Sequence, residues 1–116
     1  GGTLYFSTDS NTLPPGAGGT GDDADIYIWN GGVSYTRVFD ASLEGFAASA
    51  DVDGFVRVDA THFYLSFNVD TVVPVIGTVQ DEDIVYNNAG VWTVYFNGTA
   101  LGLTSGNLDV DAFDLP

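Results

Sequence analysis

Short stretches in which apolar and polar residues alternate recur along the whole chain. Alternation with a period of two is typical of a strand that buries one face, and the 3.6-residue period of an amphipathic helix is not found. Eight such stretches predict eight strands: Thr3–Thr8, Asp25–Trp29, Val33–Phe39, Val52–Val58, His62–Asn68, Ile84–Asn87, Val91–Phe96 and Val110–Leu115. The pattern therefore predicts an all-β chain.

The segments between these stretches contain residues that favour turns. Asn30-Gly31-Gly32, Asn88-Ala89-Gly90 and Asn97-Gly98 offer residues that tolerate positive φ where hairpins are expected. The connection from Asp9 to Asp22 contains two prolines and four glycines and is predicted to be a loop. Its later counterpart, Val69–Gln80, is more apolar, and Ala41–Ala50 has room for one short helical turn.

The second half of the chain repeats landmarks of the first half 57 to 59 residues later. The matching pairs are Leu4–Ser7 with Phe63–Ser66, Pro15 with Pro74, Asp23–Ile26 with Asp81–Ile84, Phe39 with Phe96, Gly45 with Gly102, and Asp51–Phe55 with Asp109–Phe113. Self-similarity at a fixed period is typical of repeat architectures. We therefore expect a single all-β module, residues 1–116, built from two internal repeats, residues 1–58 and 59–116.

The repeat length also bears on the two ends of the sequence. Its mean of 58 residues is half of the 116-residue length, so the last residues followed by the first would resemble the internal junction from Asp51 to Ser66. We expect either one unit of a longer tandem array or separate chains that meet end to end. Because Gly1 is not an initiator residue, we also expect that a signal peptide or flanking sequence has been removed.

The composition narrows the environment and the partners. Sixteen acidic residues stand against Arg37 and Arg57, and the net charge is −14. Such a charge repels phosphate, so nucleic acid and anionic membranes are not expected as partners. No apolar run approaches the ~20 residues that cross a bilayer. The absence of Cys, Met and Lys, with abundant Gly, Asp and aromatic residues, indicates a secreted protein of the cell surface or extracellular space.

These motifs together resemble a known kind of repeat. Leu4-Tyr5-Phe6-Ser7, the Asp81–Ile84 run, Val91–Gly98 and Asp109–Phe113 are similar to the Asp-rich tandem β repeats of large secreted bacterial surface proteins. The resemblance implies antiparallel units like the blades of a β-propeller, and it implies no catalytic residues. The first half departs from this pattern. When the two halves are aligned with a constant offset of 58 residues, Ser34 stands at the position of Trp92 and Arg37 at that of Tyr95.

Pairs of aspartates separated by one residue are the best candidates for a binding site. There are four such pairs: Asp23 with Asp25, Asp51 with Asp53, Asp81 with Asp83, and Asp109 with Asp111. In a turn this spacing lets both carboxylates reach one hard cation, and Ca²⁺ requires about six to eight oxygen ligands. The alternative is that these side chains close Asx-turns and keep strand ends soluble. Calcium is thus the one cofactor expected, and both interpretations stay open.

Other constellations are weaker. His62 is the only histidine, no Ser nucleophile of suitable spacing accompanies it, and no pair of the many acids stands out as a catalytic pair. We therefore expect no enzymatic activity. Trp29, Trp92 and the tyrosines could stack against sugars, but Trp92 lies on an alternating apolar face, which favours core packing.

These observations predict a fold class and a role. We expect two copies of a four-stranded antiparallel unit similar to a propeller blade, with an eight-stranded β-sandwich as the alternative. The expected role is that of a structural subunit or repeat of an extracellular assembly such as a filament, sheath or array, joined through strand edges. The partner would then be a second copy or a neighbouring repeat. The alternative is a calcium-dependent adhesive module that binds a glycan or a protein.

Overall fold

The structure, a computed structural model, describes residues 2–104 and 108–116, and the regular elements in them are all strands. The nine strands are β1 (Tyr5–Phe6), β2 (Ile26–Gly31), β3 (Ser34–Phe39), β4 (Val52–Arg57), β5 (His62–Phe67), β6 (Thr71–Val73), β7 (Gly77–Val79), β8 (Ile84–Asn88) and β9 (Val91–Phe96). The prediction of an all-β chain is confirmed. Over the described residues, no helix is long and apolar enough to span a bilayer.

The strands form three antiparallel sheets. The first sheet has the order β1-β2-β3, the second has the order β4-β5-β8-β9, and β6 pairs with β7 in a small hairpin. The second sheet thus takes its first strand, β4, from the end of the first predicted repeat. The prediction of two four-stranded units is not confirmed, because the first sheet has only three strands among the described residues.

Most of the predicted strands form, but with informative differences. Seven of the eight stretches contain a strand, although β1 is reduced to two residues. The eighth, Val110–Leu115, has no sheet pairing in the described part of the chain. The segment Val69–Gln80 contains the β6–β7 hairpin where the sequence pattern indicated a connection. Ala41–Ala50 contains turns but no helix.

The core lies between the first and second sheets and is dominated by aromatic side chains. Phe39 of β3 makes edge-on ring contacts with Phe46, Phe63 and Trp92, at centroid distances of 5.9, 5.3 and 6.1 Å. Trp92 is 5% exposed, which agrees with its expected place in the core. Edge-to-face contacts of this kind contribute about 0.5–1.5 kcal/mol each beyond the burial of apolar area. The packing of the two sheets therefore depends strongly on these four rings.

The register of the hairpins corrects one correspondence made from the sequence. Trp29 pairs with Tyr35 across β2 and β3, and Asn87 pairs with Trp92 across β8 and β9. Tyr35, and not Ser34, therefore occupies the position of Trp92. The reason is one additional residue in the first hairpin, where the pairing shifts between Trp29 and Gly31. By the same shift, the counterpart of Tyr95 is Val38 and not Arg37.

The two tryptophans allow a matched test of the core. We expect Trp92→Ala to lower the free energy of unfolding by about 3–5 kcal/mol, because it leaves a cavity between the sheets. Trp29 is 47% exposed, so Trp29→Ala should cost about 1 kcal/mol or less. Equilibrium unfolding in urea, followed by circular dichroism, measures both values. Equal losses for the two variants would contradict this description of the core.

Candidate functional site

Two of the eight candidate aspartates are buried and bind the backbone of their own half. Oδ1 of Asp25 accepts a hydrogen bond from the N–H of Ala41 at 2.9 Å. Oδ1 of Asp83 accepts one from the N–H of Gly98, also at 2.9 Å. Asp25 is fully buried and Asp83 is 2% exposed. These two carboxylates hold the loops that follow β3 and β9, so their local role is structural.

The charge of Asp25 is balanced by an arginine. Nη1 of Arg37 lies 2.9 Å from Oδ2 of Asp25, and the guanidinium also donates to the carbonyls of Gly18 and Thr20. The hydrogen bond to Asp25 raises the pKa of Arg37 above its ordinary value. The hydroxyl of Tyr27 donates to the same carboxylate at 3.3 Å. This network ties the long loop before β2 to the first sheet.

Asp83 is satisfied in a different way. Its Oδ2 accepts a hydrogen bond from the N–H of Gln80 at 2.9 Å, so a backbone amide takes the place that Arg37 has beside Asp25. Next to it, the buried carboxylate of Glu82 accepts a hydrogen bond from the hydroxyl of Thr99. This contact lowers the pKa of Glu82. The two halves thus stabilise equivalent acids with different partners.

Three of the other candidate aspartates converge at one place. Asp53, Asp109 and Asp111 each offer a carboxylate oxygen within 4.8 Å of the others. One oxygen of Asp53 and one of Asp109 are buried and have no hydrogen-bond partner among the described residues. Burial, followed by repulsion from Asp109, raises the pKa of Asp53 to about 7. Burial also raises the pKa of Asp109.

This cluster, Asp53–Asp109–Asp111, offers three of the oxygen ligands that a hard cation uses. Ca²⁺ requires about six to eight, so carbonyls or water would have to supply the rest. The remaining candidates are not part of this cluster: Asp51 accepts a hydrogen bond from Asn68, and Asp23 and Asp81 use their backbone carbonyls to bind Val52 and Val110. Calcium binding at the cluster stays a prediction. The sequence could not single out this set, because the three residues come from the ends of two different repeats.

The two halves share a further set of hydrogen bonds at matching positions. The hydroxyl of Ser7 donates to the carbonyl of Val52 at 2.8 Å, and that of Ser66 donates to the carbonyl of Val110 at 2.9 Å. The N–H groups of Val52 and Val110 donate to the carbonyls of Asp23 and Asp81 at 3.1 and 3.0 Å. The segment that follows residue 108 is therefore bound to the second sheet by the same hydrogen bonds that bind the start of β4 to the first sheet.

Despite this match, β4 and the segment 110–115 differ in their neighbours. β4 pairs with β5 along the edge of the second sheet. The segment 110–115, which has the equivalent position one repeat later, has no strand beside it among the described residues. At the other end, β1 pairs with β2 on one side only. Among the described residues, the segment 110–115 therefore lacks the neighbouring strand that β4 has. In the same part of the chain, the first sheet lacks the strand that would correspond to β4 in the second sheet.

A hollow of about 230 Å³ opens between the two sheets beside Tyr5, Phe55 and Arg57. The guanidinium carbon of Arg57 lies 5.3 Å from the centre of the Tyr5 ring. Pockets that enclose small organic ligands usually measure about 300–1,000 Å³. The hollow is smaller than these, and it carries no argument for a small-molecule substrate.

Comparison of the chain with models of protein families, with curated proteins and with solved structures finds no match. The resemblance to secreted tandem β repeats therefore stays an expectation drawn from the motifs.

The buried ion pair gives a second matched test. We expect Arg37→Gln to lower the free energy of unfolding by about 3 kcal/mol, because it leaves the carboxylate of Asp25 buried without its cation. Arg57 is exposed, so Arg57→Gln removes the same charge and should cost about 1 kcal/mol or less. Urea unfolding of the two variants measures the difference. A loss for Arg57→Gln as large as that for Arg37→Gln would show that net charge, and not the buried pair, is responsible.

The pKa of Asp53 predicts how stability changes with pH. The folded chain raises this pKa from 3.8 to about 7, so the folded state holds the proton more tightly than the unfolded state does. The contribution of Asp53 to stability is therefore fully present below pH 3.8 and is lost as the pH rises through about 7. We expect Asp53→Asn to stabilise the chain at pH 8 and to have little effect at pH 4. The gain should be about 1 kcal/mol, less than the pKa shift alone would give, because Asp53 is only partly buried and solvent screens its charge.

A control separates this effect from the net charge. Asp114 is exposed, and Asp114→Asn removes one negative charge without touching a described hydrogen bond. Thermal unfolding of the two variants between pH 4 and pH 8 measures the difference. If Asp114→Asn stabilised the chain at pH 8 as much as Asp53→Asn, general repulsion would explain the effect and the cluster would not.

Proposed function

We propose that this chain is a structural subunit or repeat of an extracellular surface assembly, in which units join through strand edges. The observation that carries the proposal is that, among the described residues, β1 has a neighbouring strand on one side only, whereas the equivalent strand in the second half, β5, has one on each side. Exposed strand edges are templates for pairing with another chain, and proteins usually cover or interrupt them. An assembly of strands makes use of such an edge.

The chemistry of the side chains supports a structural role more than a catalytic one. Asp25 and Asp83 are both bound to backbone amides, and Asp25 is also bound to Arg37, so these two buried acids hold loops in place. The extracellular location rests on the composition, with 16 acidic residues and no cysteine. We accordingly propose a secreted structural protein and not an enzyme.

Sedimentation velocity of the chain over a wide range of concentrations tests the proposal. Added salt is needed, because a net charge of −14 on each copy makes the copies repel one another at low ionic strength. We expect species larger than the monomer to increase with concentration, and electron micrographs of the same samples to show rings or filaments. A chain that stays monomeric at every concentration and salt level would overturn the proposal.

A second candidate function is calcium-dependent adhesion to a glycan or a protein. It is favoured by the Asp53–Asp109–Asp111 cluster and by three tyrosines on the second sheet, where the ring of Tyr64 lies 4.6 Å from that of Tyr86 and 4.8 Å from that of Tyr95. The same sedimentation series, run with calcium and with a chelator, separates the candidates. Association that ignores both additions, with an unchanged melting temperature, would exclude a role for calcium.

A further inference from the structure

The outer face of the first sheet presents an apolar surface. Leu4, Phe6, Trp29 and Tyr35 line a shallow hollow on the side of this sheet that faces away from the second sheet. Phe6 and Tyr35 meet edge to face at a centroid distance of 5.8 Å. Leu4 is 56% exposed and Trp29 is 47% exposed. We call this surface the Leu4–Tyr35 face.

The equivalent positions of the second sheet are buried. Phe63 and Leu65 of β5 correspond to Leu4 and Phe6, and they are 6% and 0% exposed. Trp92, the counterpart of Tyr35 by hairpin register, also lies in the core. These residues are buried because the first sheet packs over them. The Leu4–Tyr35 face is therefore equivalent to the face of the second sheet that the first sheet covers within the same molecule.

A surface that matches it is present on the other side of the molecule. The outer face of the second sheet contains the cluster of Tyr64, Tyr86 and Tyr95, and beside it lies the segment 110–115, which Ser66 binds through the carbonyl of Val110. Tyr64 and Ser66 correspond to Tyr5 and Ser7, which face the second sheet inside the molecule: the rings of Tyr5 and Phe55 are 5.7 Å apart. The contact between the first and second sheets within one molecule thus serves as the template for a contact between two copies.

We propose that two copies of this chain join head to tail, with the segment 110–115 of one copy pairing antiparallel to β1 of the next. The inference rests on the proposed function and makes it specific. The pairing of β4 with β5 fixes the register, since Phe55 pairs with Leu65 and Arg57 with Phe63. Carried over to the equivalent positions, Phe113 pairs with Phe6 and Leu115 with Leu4 of the second copy.

This pairing adds a fourth strand to the first sheet of the second copy, next to β1. The added strand has the position that β4 has next to β5 within one molecule. The tyrosine cluster of the first copy then covers the Leu4–Tyr35 face of the second. One local adjustment is required, because Ala112 stands at the position of Gly54. A Cβ at Gly54 would lie 2.5 Å from the Ser66 hydroxyl and 2.7 Å from the ring of Phe113, and the equivalents of these two residues in the second copy are Ser7 and Phe55. The side chains of Ser7 and Phe55 in the second copy must therefore rotate away from the Ala112 methyl group.

The contact uses two different surfaces, so each copy keeps one surface free after joining. Such head-to-tail contacts produce closed rings or open filaments, according to the rotation between successive copies. Because Asp51 and Asp53 lie at the start of β4, and Asp109 and Asp111 lie at the start of the segment 110–115, each junction also brings acidic residues together. Association should therefore strengthen as salt screens this repulsion.

Disulfide cross-linking tests the register, and the absence of cysteine makes every introduced thiol unambiguous. Leu4→Cys and Leu115→Cys are prepared as two chains of different mass, mixed, and oxidised gently in salt. We expect the Leu4–Leu115 heterodimer to exceed its statistical share of the cross-linked products. In the control, Leu43→Cys replaces Leu4→Cys, since Leu43 is 81% exposed and lies outside the Leu4–Tyr35 face. A heterodimer no more abundant than in this control would overturn the register.

Substitutions on the two surfaces test the contact without a cross-link. Leu4→Asp should weaken association by about tenfold or more, because it places a charge in the centre of an apolar interface. Leu43→Asp adds the same charge and should weaken association much less. Asp114→Pro in the donated segment should also weaken it, since proline interrupts pairing within a strand. Circular dichroism confirms that each variant stays folded.

The outcomes separate this inference from the broader proposal. If the unmodified chain does not associate under any condition, both are wrong. If it associates, but neither Leu4→Asp nor Asp114→Pro has more effect than Leu43→Asp, the structural role stands and the contact described here is wrong. A selective loss in these two variants, together with the Leu4–Leu115 cross-link, supports both.

Discussion

The contact between Phe39 and the rings of Phe63 and Trp92 is the interaction on which the remaining structure depends. The described residues contain no helix and no disulfide, so two small sheets must stabilise each other through the apolar area they bury. Aromatic side chains suit this task, because each buries a large area for the loss of few rotatable bonds. The carboxylates of Asp25 and Asp83 are enclosed in this fold, so an unmade hydrogen bond to either of them would be costly.

The sequence predicts the strands well where both faces of the pattern are distinct. The stretches that form β3, β4 and β9 alternate clearly, and each contains a strand of six residues. The β6–β7 hairpin escaped prediction because its strands have three residues each, too few for a period to emerge. The alternation in β9 also misleads in part: Trp92 is buried, but Val94 is 42% exposed although its partner Val85 is fully buried. β9 is the edge strand of the second sheet, so its residues are covered on fewer sides than those of β8.

The candidate site was predictable only as a set of residue types. All eight aspartates stand out by their spacing, but spacing does not distinguish Asp83, which binds backbone amides, from Asp53, which lies against two other carboxylates. The two aspartates differ because the segment after residue 108 lies beside the start of β4, which brings Asp109 and Asp111 close to Asp53. Contacts between residues more than 50 positions apart follow from the topology, and the local alternation of apolar and polar residues does not encode them. The one-residue difference between the two hairpins is, in contrast, a local feature, and the sequence already contains it: the offset between matching residues falls from 58 at Ile26 to 57 at Phe39.

Asp25 and Asp83 show how two similar halves can reach the same end by incompatible means. One carboxylate relies on a distant guanidinium, and the other on the amide of Gln80 in its own turn. A consensus sequence averaged over the halves would be at risk of combining the loop of one with the strand of the other. The buried acid would then have neither partner, and the idealised repeat would be less stable than its parents. Each half must therefore be inherited, or engineered, with its own solution intact.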